Sequence, residues 1–295
     1  MEFRGTYTAL VTPFRKGEVD YGAFKALLER QKSAGVTGVV PCGCTGEAAT
    51  LSLDERKEVI RLSLETVGDS LRVVPGTGTN STASTIALTR EAERAGAHAA
   101  MIITPYYNKP SQRGLVEHYL RVADATTLPL VLYNVPGRTG VTIAADTVAE
   151  LHASGRYAAI KEAGGSVDAV SDILAKCAIT VLSGDDSLTL AMMSVGGKGV
   201  VSVVSNLVPR LVREMVENAL SGGYEAARGI HYRLLPLIRA AFVESNPSPI
   251  KAMLSLRGLA QNELRAPLVP VSDKSAEVIR KALAESETAL EGRQP

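Results

Sequence analysis

Eight short apolar runs, each followed by a segment of helical period, constrain the fold of this chain more than any other feature. The runs are Tyr7-Thr-Ala-Leu-Val-Thr12, Gly38-Val-Val-Pro-Cys-Gly-Cys44, Arg72-Val-Val-Pro75, His98-Ala-Ala-Met-Ile-Ile103, Pro129-Leu-Val-Leu-Tyr-Asn134, Tyr157-Ala-Ala-Ile-Lys-Glu-Ala-Gly164, Thr180-Val-Leu-Ser183 and Gly199-Val-Val-Ser-Val-Val204. They are nearly continuous in apolar character, as parallel strands buried on both faces require. Helices are predicted between them at 21–34, from the Ser52–Glu55 capping box onward, and at 81–94, 111–125, 144–153, 167–177, 188–195 and 209–220. Eight strand–helix pairs favour a closed (β/α)8 barrel, an α/β fold, over the rival open doubly wound sheet. Gly222-Gly223 marks a boundary: residues 1–223 are predicted to form the barrel and 224–295 a C-terminal helical domain, with helices at 224–243, 248–259 and 272–290.

Composition narrows the class of function. A formal net charge of +1 gives no electrostatic footprint for nucleic acid or an anionic membrane. No apolar stretch approaches the roughly 18 residues that span a bilayer, and Met1-Glu-Phe-Arg-Gly5 lacks a signal-peptide pattern. The cysteines Cys42, Cys44 and Cys177 are odd in number and do not have the spacing of a structural zinc site, which suits a reduced cytoplasm. Asp185-Asp186 has neither a third carboxylate nor a histidine nearby to complete a metal site, and no metal or organic cofactor is expected.

The chemistry is expected at the C-terminal ends of the strands. Lys161 lies near such an end and shares a face with Ala159, while Ile160 and Glu162 take the other. Burial lowers a lysine's pKa, and a neutral amine attacks carbonyls to form a Schiff base. A lysine snorkelling from a strand end to water is the alternative. Cys44 and Thr45, Tyr106 and Tyr107, Tyr133 and Arg138 fall at other strand ends, a set able to relay protons and grip a carboxylate.

Five motifs carry a resemblance: Gly43-Cys-Thr-Gly-Glu47, Thr104-Pro-Tyr-Tyr-Asn-Lys-Pro110, Tyr133-Asn-Val-Pro-Gly-Arg-Thr-Gly140, Ile160-Lys-Glu162 and Ser183-Gly-Asp-Asp186, with later support from Glu244-Ser-Asn-Pro247. In their order and spacing the chain resembles the dihydrodipicolinate synthase family of pyruvate-dependent class I aldolases. The resemblance implies an eightfold barrel with a helical extension, no cofactor, pyruvate and aspartate semialdehyde as substrates, and a homotetramer in the cytoplasm. It implies that Lys161 forms the Schiff base and Tyr133 moves protons, with Tyr107 completing the relay in a neighbouring subunit. Backbone amides at Cys44 and Thr45 would hold the pyruvate carboxylate, Arg138 the carboxylate of the aldehyde, and Gly184 and Val201 would line the substrate site.

The chain departs from the family at Cys44, where a threonine hydroxyl is usual; a thiol is the weaker donor. Feedback-inhibited members bind lysine through histidines and a glutamate where this chain has Leu53, Arg56 and Ser84, so weak inhibition by lysine is expected. The Schiff-base lysine and the tyrosine are shared with N-acetylneuraminate lyases and keto-sugar-acid aldolases. The arginine of the Pro136-Gly-Arg-Thr139 turn is what separates the synthase pattern from theirs. A weakly catalytic barrel serving as a binding protein is the alternative from another class.

Overall fold

In the computed structural model, which describes residues 2–291 with side chains to 286, the apolar runs form one parallel sheet. Its strands are β1 (Gly5–Ala9), β2 (Gly38–Val40), β3 (Arg72–Val73), β4 (Ala100–Ile103), β5 (Leu130–Asn134), β6 (Tyr157–Glu162), β7 (Thr180–Ser183) and β8 (Gly199–Ser202). Neighbours in the sheet run β3-β2-β1-β8-β7-β6-β5-β4. The two edges then meet. Gly76 bridges Met101 in parallel, Met101 N donates to Pro75 O at 2.9 Å and Thr77 N donates to Met101 O at 3.0 Å. Those bonds close the barrel and leave no open edge.

The surrounding helices are α1 (Tyr21–Ala34), α2 (Leu53–Val67), α3 (Thr82–Arg94), α4 (Gln112–Asp124), α5 (Ala145–Ala153), α6 (Val167–Lys176), α7 (Thr189–Ser194) and α8 (Pro209–Leu220). Their starts follow local chemistry. Ser52 and Glu55 form the reciprocal capping box at α2, with bonds of 2.8 and 3.2 Å. Asp20, Ser81, Ser111 and Ser166 each cap a helix through a side-chain oxygen.

Two apolar layers result from the alternation of side chains. Val131, Tyr133 and Ala159 belong to the cluster that includes the barrel interior, whereas Leu130, Leu132 and Ile160 pack outward against Leu115, Tyr119, Val148 and Val170. A register shift between Leu130 and Val131 lets Tyr157 join the outer layer while Ala159 and Lys161 stay on the inner face.

After Gly222-Gly223 come α9 (Tyr224–Ala241), α10 (Ser248–Leu256) and α11 (Asp273–Glu291). α9 packs on α8 and α11, and α10 on α9 and α11. Leu234, Ile238, Ile250, Met253 and Ile279 join the same apolar cluster as Val39 and Val73 of the barrel. The helices beyond residue 223 therefore share a core with it.

Several boundaries differ from expectation. β2 stops at Val40 because Cys42 turns to φ +55°, outside the extended region. β3 is cut to Arg72–Val73, and β8 ends at Ser202, where Val204–Asn206 winds into a 3-10 turn. The segment expected to be helical from 188 begins as a 3-10 turn over Asp186–Leu188, and α10 ends at Leu256 rather than 259. A small hairpin, Phe14–Arg15 with Glu18–Val19, and a helical turn, Pro136–Thr139, add to the expected elements.

Candidate active site

Parallel pairing of β4, β5 and β6 sets the site. Ile103 is in register with Tyr133, and Tyr133 with Lys161, so the tyrosine and the lysine are cross-strand neighbours at the C-terminal end of the barrel. Lys161 is only 5% exposed, and its Nζ lies 4.1 Å from the centre of the Tyr133 ring. Burial lowers the Lys161 pKa to about 8, while Cys44, Asp186 and Asp185 pull it back upward. The snorkelling alternative does not apply: the amine is held inside. Burial also raises the Tyr133 phenol well above its ordinary range, and Cys44 reinforces the shift, so the phenol remains a proton donor.

Tyr133, though not Lys161 itself, lines a cavity of about 480 Å³ together with Gly43, Cys44, Ile103, Tyr106, Arg138 and Asn246, among others. Cys44 is half-buried in its wall. Arg138, on the Pro136–Thr139 turn, reaches the cavity from an exposed position, and its Nη2 donates to Asn246 O at 3.0 Å. Pro136 starts that turn, where its missing N–H has no helical acceptor to lose. Thr45 is buried behind the wall, its Oγ1 accepting from Asn246 Nδ2 at 3.0 Å.

The other expected site residues are placed differently. Tyr107 is 88% exposed at φ +74°, outside its own chain's cluster, while Tyr106 turns into the cavity. Gly184 does not line the cavity. A Cβ there would fall 2.9 Å from Lys161 Cε and 2.5 Å from Ala163 Cβ, so the glycine clears space for the lysine stem. Val201 is buried in β8 in register with Tyr7, also away from the cavity lining.

The two aspartates after β7 are already engaged. Asp186, fully buried, takes hydrogen bonds from the Ser202 hydroxyl and from the amides of Val203 and Val204 at 2.9 and 3.3 Å. Asp185 Oδ2 accepts from Gly165 N at 3.1 Å. Both act on the site as fields that favour a protonated Lys161.

Asn246 is the residue that sequence reasoning left without a role. It bridges the β2 loop and the Arg138 turn, and only its place in the Glu244–Pro247 motif marked it beforehand. On the outer face, Glu162 is buried and takes two bonds from Asn134 Nδ2, at 3.2 and 2.9 Å, and one from Gly164 N at 2.7 Å. The bonds from Asn134 hold β5 and β6 together directly behind Tyr133 and Lys161.

A profile of the dihydrodipicolinate synthetase family matches residues 2–286. The chain is 47% identical over 276 residues to the 4-hydroxy-tetrahydrodipicolinate synthase of Leptospira biflexa serovar Patoc, covering 93% of this chain and 94% of that one. It is 46% identical over 284 residues to the enzyme of the same name from Syntrophobacter fumaroxidans, covering 95% and 98%. The solved 4-hydroxy-tetrahydrodipicolinate synthase of Methylacidiphilum fumariolicum SolV superposes with a TM-score of 0.97 at 44% identity, over 99% of this chain and 98% of that one. Matched by the family profile over nearly its full length, 47% identical to a named member and superposable on a solved one, this chain belongs to the dihydrodipicolinate synthetase family.

Proposed function

We propose that this protein is a 4-hydroxy-tetrahydrodipicolinate synthase, a lyase that condenses pyruvate with aspartate semialdehyde through a Schiff base on Lys161. The observation that carries the reading is the buried Lys161 amine packed against the ring of Tyr133, a ring that lines the same cavity as Arg138.

The chemistry follows from that arrangement. The neutral amine of Lys161 attacks the pyruvate carbonyl, and the phenol of Tyr133 supplies the proton with which the carbinolamine oxygen leaves as water. The resulting imine draws electrons from the methyl carbon, whose proton is lost to give the enamine. That carbon adds to the aldehyde of the second substrate, and its oxygen takes up a proton from the Tyr133 relay. The substrate's own amine then attacks the imine carbon, displaces Lys161 and closes the ring. The iminium carries the charge that a metal or organic cofactor would otherwise stabilise. In this reading the Cys44 and Thr45 amides take the pyruvate carboxylate, Arg138 takes that of the aldehyde, and Cys44 passes protons beside Tyr133. Gly184 serves the site by leaving room for the Lys161 stem, and Val201 by filling the barrel interior in the same apolar cluster as Tyr133.

The reading extends to a cytoplasmic homotetramer built from dimers. In this reading Tyr107 enters a neighbouring subunit's cavity and finishes the relay, a role its 88% exposure and positive φ support. Residues 224–295 are read as a helical domain appended to the barrel of residues 1–223.

The test is a coupled assay with pyruvate and a panel of aldehydes. Aspartate semialdehyde is expected to be the preferred acceptor, and Arg138→Ala to lower its kcat/KM by about 1.5–3 kcal/mol, the worth of a charge-assisted contact. Preference for N-acetylmannosamine would instead assign the chain to the sugar-acid lyases. No turnover with any aldehyde would favour a binding protein.

A further inference from the structure

A fully buried charge pair lies outside the reacting groups. Glu47 and Lys251 have side chains 0% exposed and are joined by an ion pair of 2.5 Å. The second oxygen of Glu47 accepts from Arg265 N at 3.0 Å. Lys251 Nζ also sits 4.2 Å from the centre of the Phe14 ring, with the Arg265 guanidinium 4.5 Å from that ring. A charge buried this completely is costly unless paired, and losing one partner strands the other.

The location of the pair gives it a use. Glu47 ends the Gly43-Cys-Thr-Gly-Glu47 turn and is held at φ +53°, a conformation that a glutamate adopts only under constraint. Its N–H donates to Cys44 O at 3.1 Å, closing the turn that carries the Cys44 and Thr45 amides. Thr12 Oγ1 holds Gly46 O at 2.8 Å from inside the barrel. Other ties come from residues about 200 positions away: Asn246 to Thr45, Lys251 and Arg265 N to Glu47, and Arg265 Nη1 to Thr50 O at 2.9 Å. Arg265 is itself fixed by its ion pair with Glu55 of α2.

We infer that Lys251 is a positioning residue: through Glu47 it sets the two backbone amides that receive the pyruvate carboxylate, making the C-terminal helices part of the pyruvate site. Arg138 stands on the turn after β5 and bonds to neither Glu47 nor Lys251; its tie to the C-terminal segment runs through Asn246 O, so the ion pair reaches the aldehyde site only indirectly. The inference rests on the Schiff-base reading above.

The variants are Lys251→Met and the double variant Glu47→Gln/Lys251→Met. The double variant removes both charges at similar volume and leaves no ion unpaired, which preserves stability far better than the single change. Borohydride trapping of the enzyme against increasing pyruvate reads the first site, and steady-state KM for aspartate semialdehyde reads the second. The expected result for the double variant is a Tm close to wild type, half-saturation by pyruvate raised about tenfold or more, and an aldehyde KM changed by less than about threefold. Lys251→Met is expected to show the same pyruvate defect together with a lowered Tm.

Wild-type saturation by pyruvate in the double variant would overturn the inference. So would equal rises in both KM values, or failure of the double variant to fold, since the pair would then support the barrel at large. Wild-type enzyme that traps no pyruvate would instead overturn the Schiff-base reading, which separates the two failures.

Discussion

The pH dependence of imine formation follows from the burial of one amine. Lys161 titrates at about 8 in place of its ordinary 10.5, because it is desolvated against the ring of Tyr133. At pH 7 an ordinary lysine has about 3 in 10,000 molecules neutral, whereas one titrating at about 8 has roughly one in eleven, a gain of ~300-fold in nucleophile. At subsaturating pyruvate the rate of imine formation should climb about tenfold per pH unit below 8 and level off above it. Single-turnover trapping with borohydride, sampled between pH 6 and 9.5, measures that profile. A rate flat across this window, or one still climbing tenfold per unit at pH 9.5, would refute the assignment of the neutral Lys161 amine as nucleophile.

The same burial has a stability consequence whose sign can be worked out. The folded-state value lies below that of the unfolded chain, so between about pH 8 and 10.5 the unfolded chain binds more protons and stability rises with pH. Below about pH 8 the full penalty is present, on the order of 3 kcal/mol. Lys161→Met should therefore be more stable than wild type at pH 7, by an amount that shrinks toward zero above pH 10.5.

Three further outcomes are expected. Gly184→Ala should slow imine formation at least about tenfold with little loss of secondary structure, because the new Cβ would stand 2.9 Å from Lys161 Cε; single-turnover trapping and circular dichroism read the two effects. Cys44→Thr should leave turnover unchanged or raise it, since a hydroxyl is the stronger donor beside Tyr133; loss of steady-state activity in a folded variant would show that the thiol has its own role. Lysine should inhibit weakly: Leu53 is 50% exposed and apolar, Ser84 carries no charge, and the Arg56 guanidinium is tied to Ala48 O and Gly76 O at 3.2 and 2.7 Å, where it repels an ammonium. Half-inhibition at submillimolar lysine, titrated at subsaturating pyruvate, would contradict that.

The barrel was legible because buried parallel strands demand unbroken apolar runs, and Lys161 stood out as a cation inside one of them. The alternation of Ala159 and Lys161 against Ile160 and Glu162 also followed from strand period alone, and the two faces separate that way. What escaped was short or distant. The hairpin Phe14–Arg15 and Glu18–Val19 has too few residues to show a period; its signal is Lys16-Gly17, both at positive φ. β2 ended early where the backbone turns to positive φ at Cys42, and β3 ended before Pro75, which has no N–H for the ladder.

Lys251 offers the more useful lesson. It is the one charged residue in the helix Ser248–Leu256, which is otherwise apolar or small, and such a residue is buried only with a partner. That pattern was readable. The identity of the partner, Glu47 on the far side of the sequence, was not, because nothing local links positions 47 and 251. Asn246 is similar: its bonds to Thr45 and Arg138 arise only once the β2 and β5 loops converge on the same end of the barrel.

The most direct test of the account is the site of covalent attachment. Enzyme incubated with pyruvate, reduced with borohydride and digested should yield one modified peptide, with the pyruvate-derived mass on Lys161 and none in Lys161→Ala. Attachment to any other lysine, or an undiminished adduct in Lys161→Ala, would contradict it.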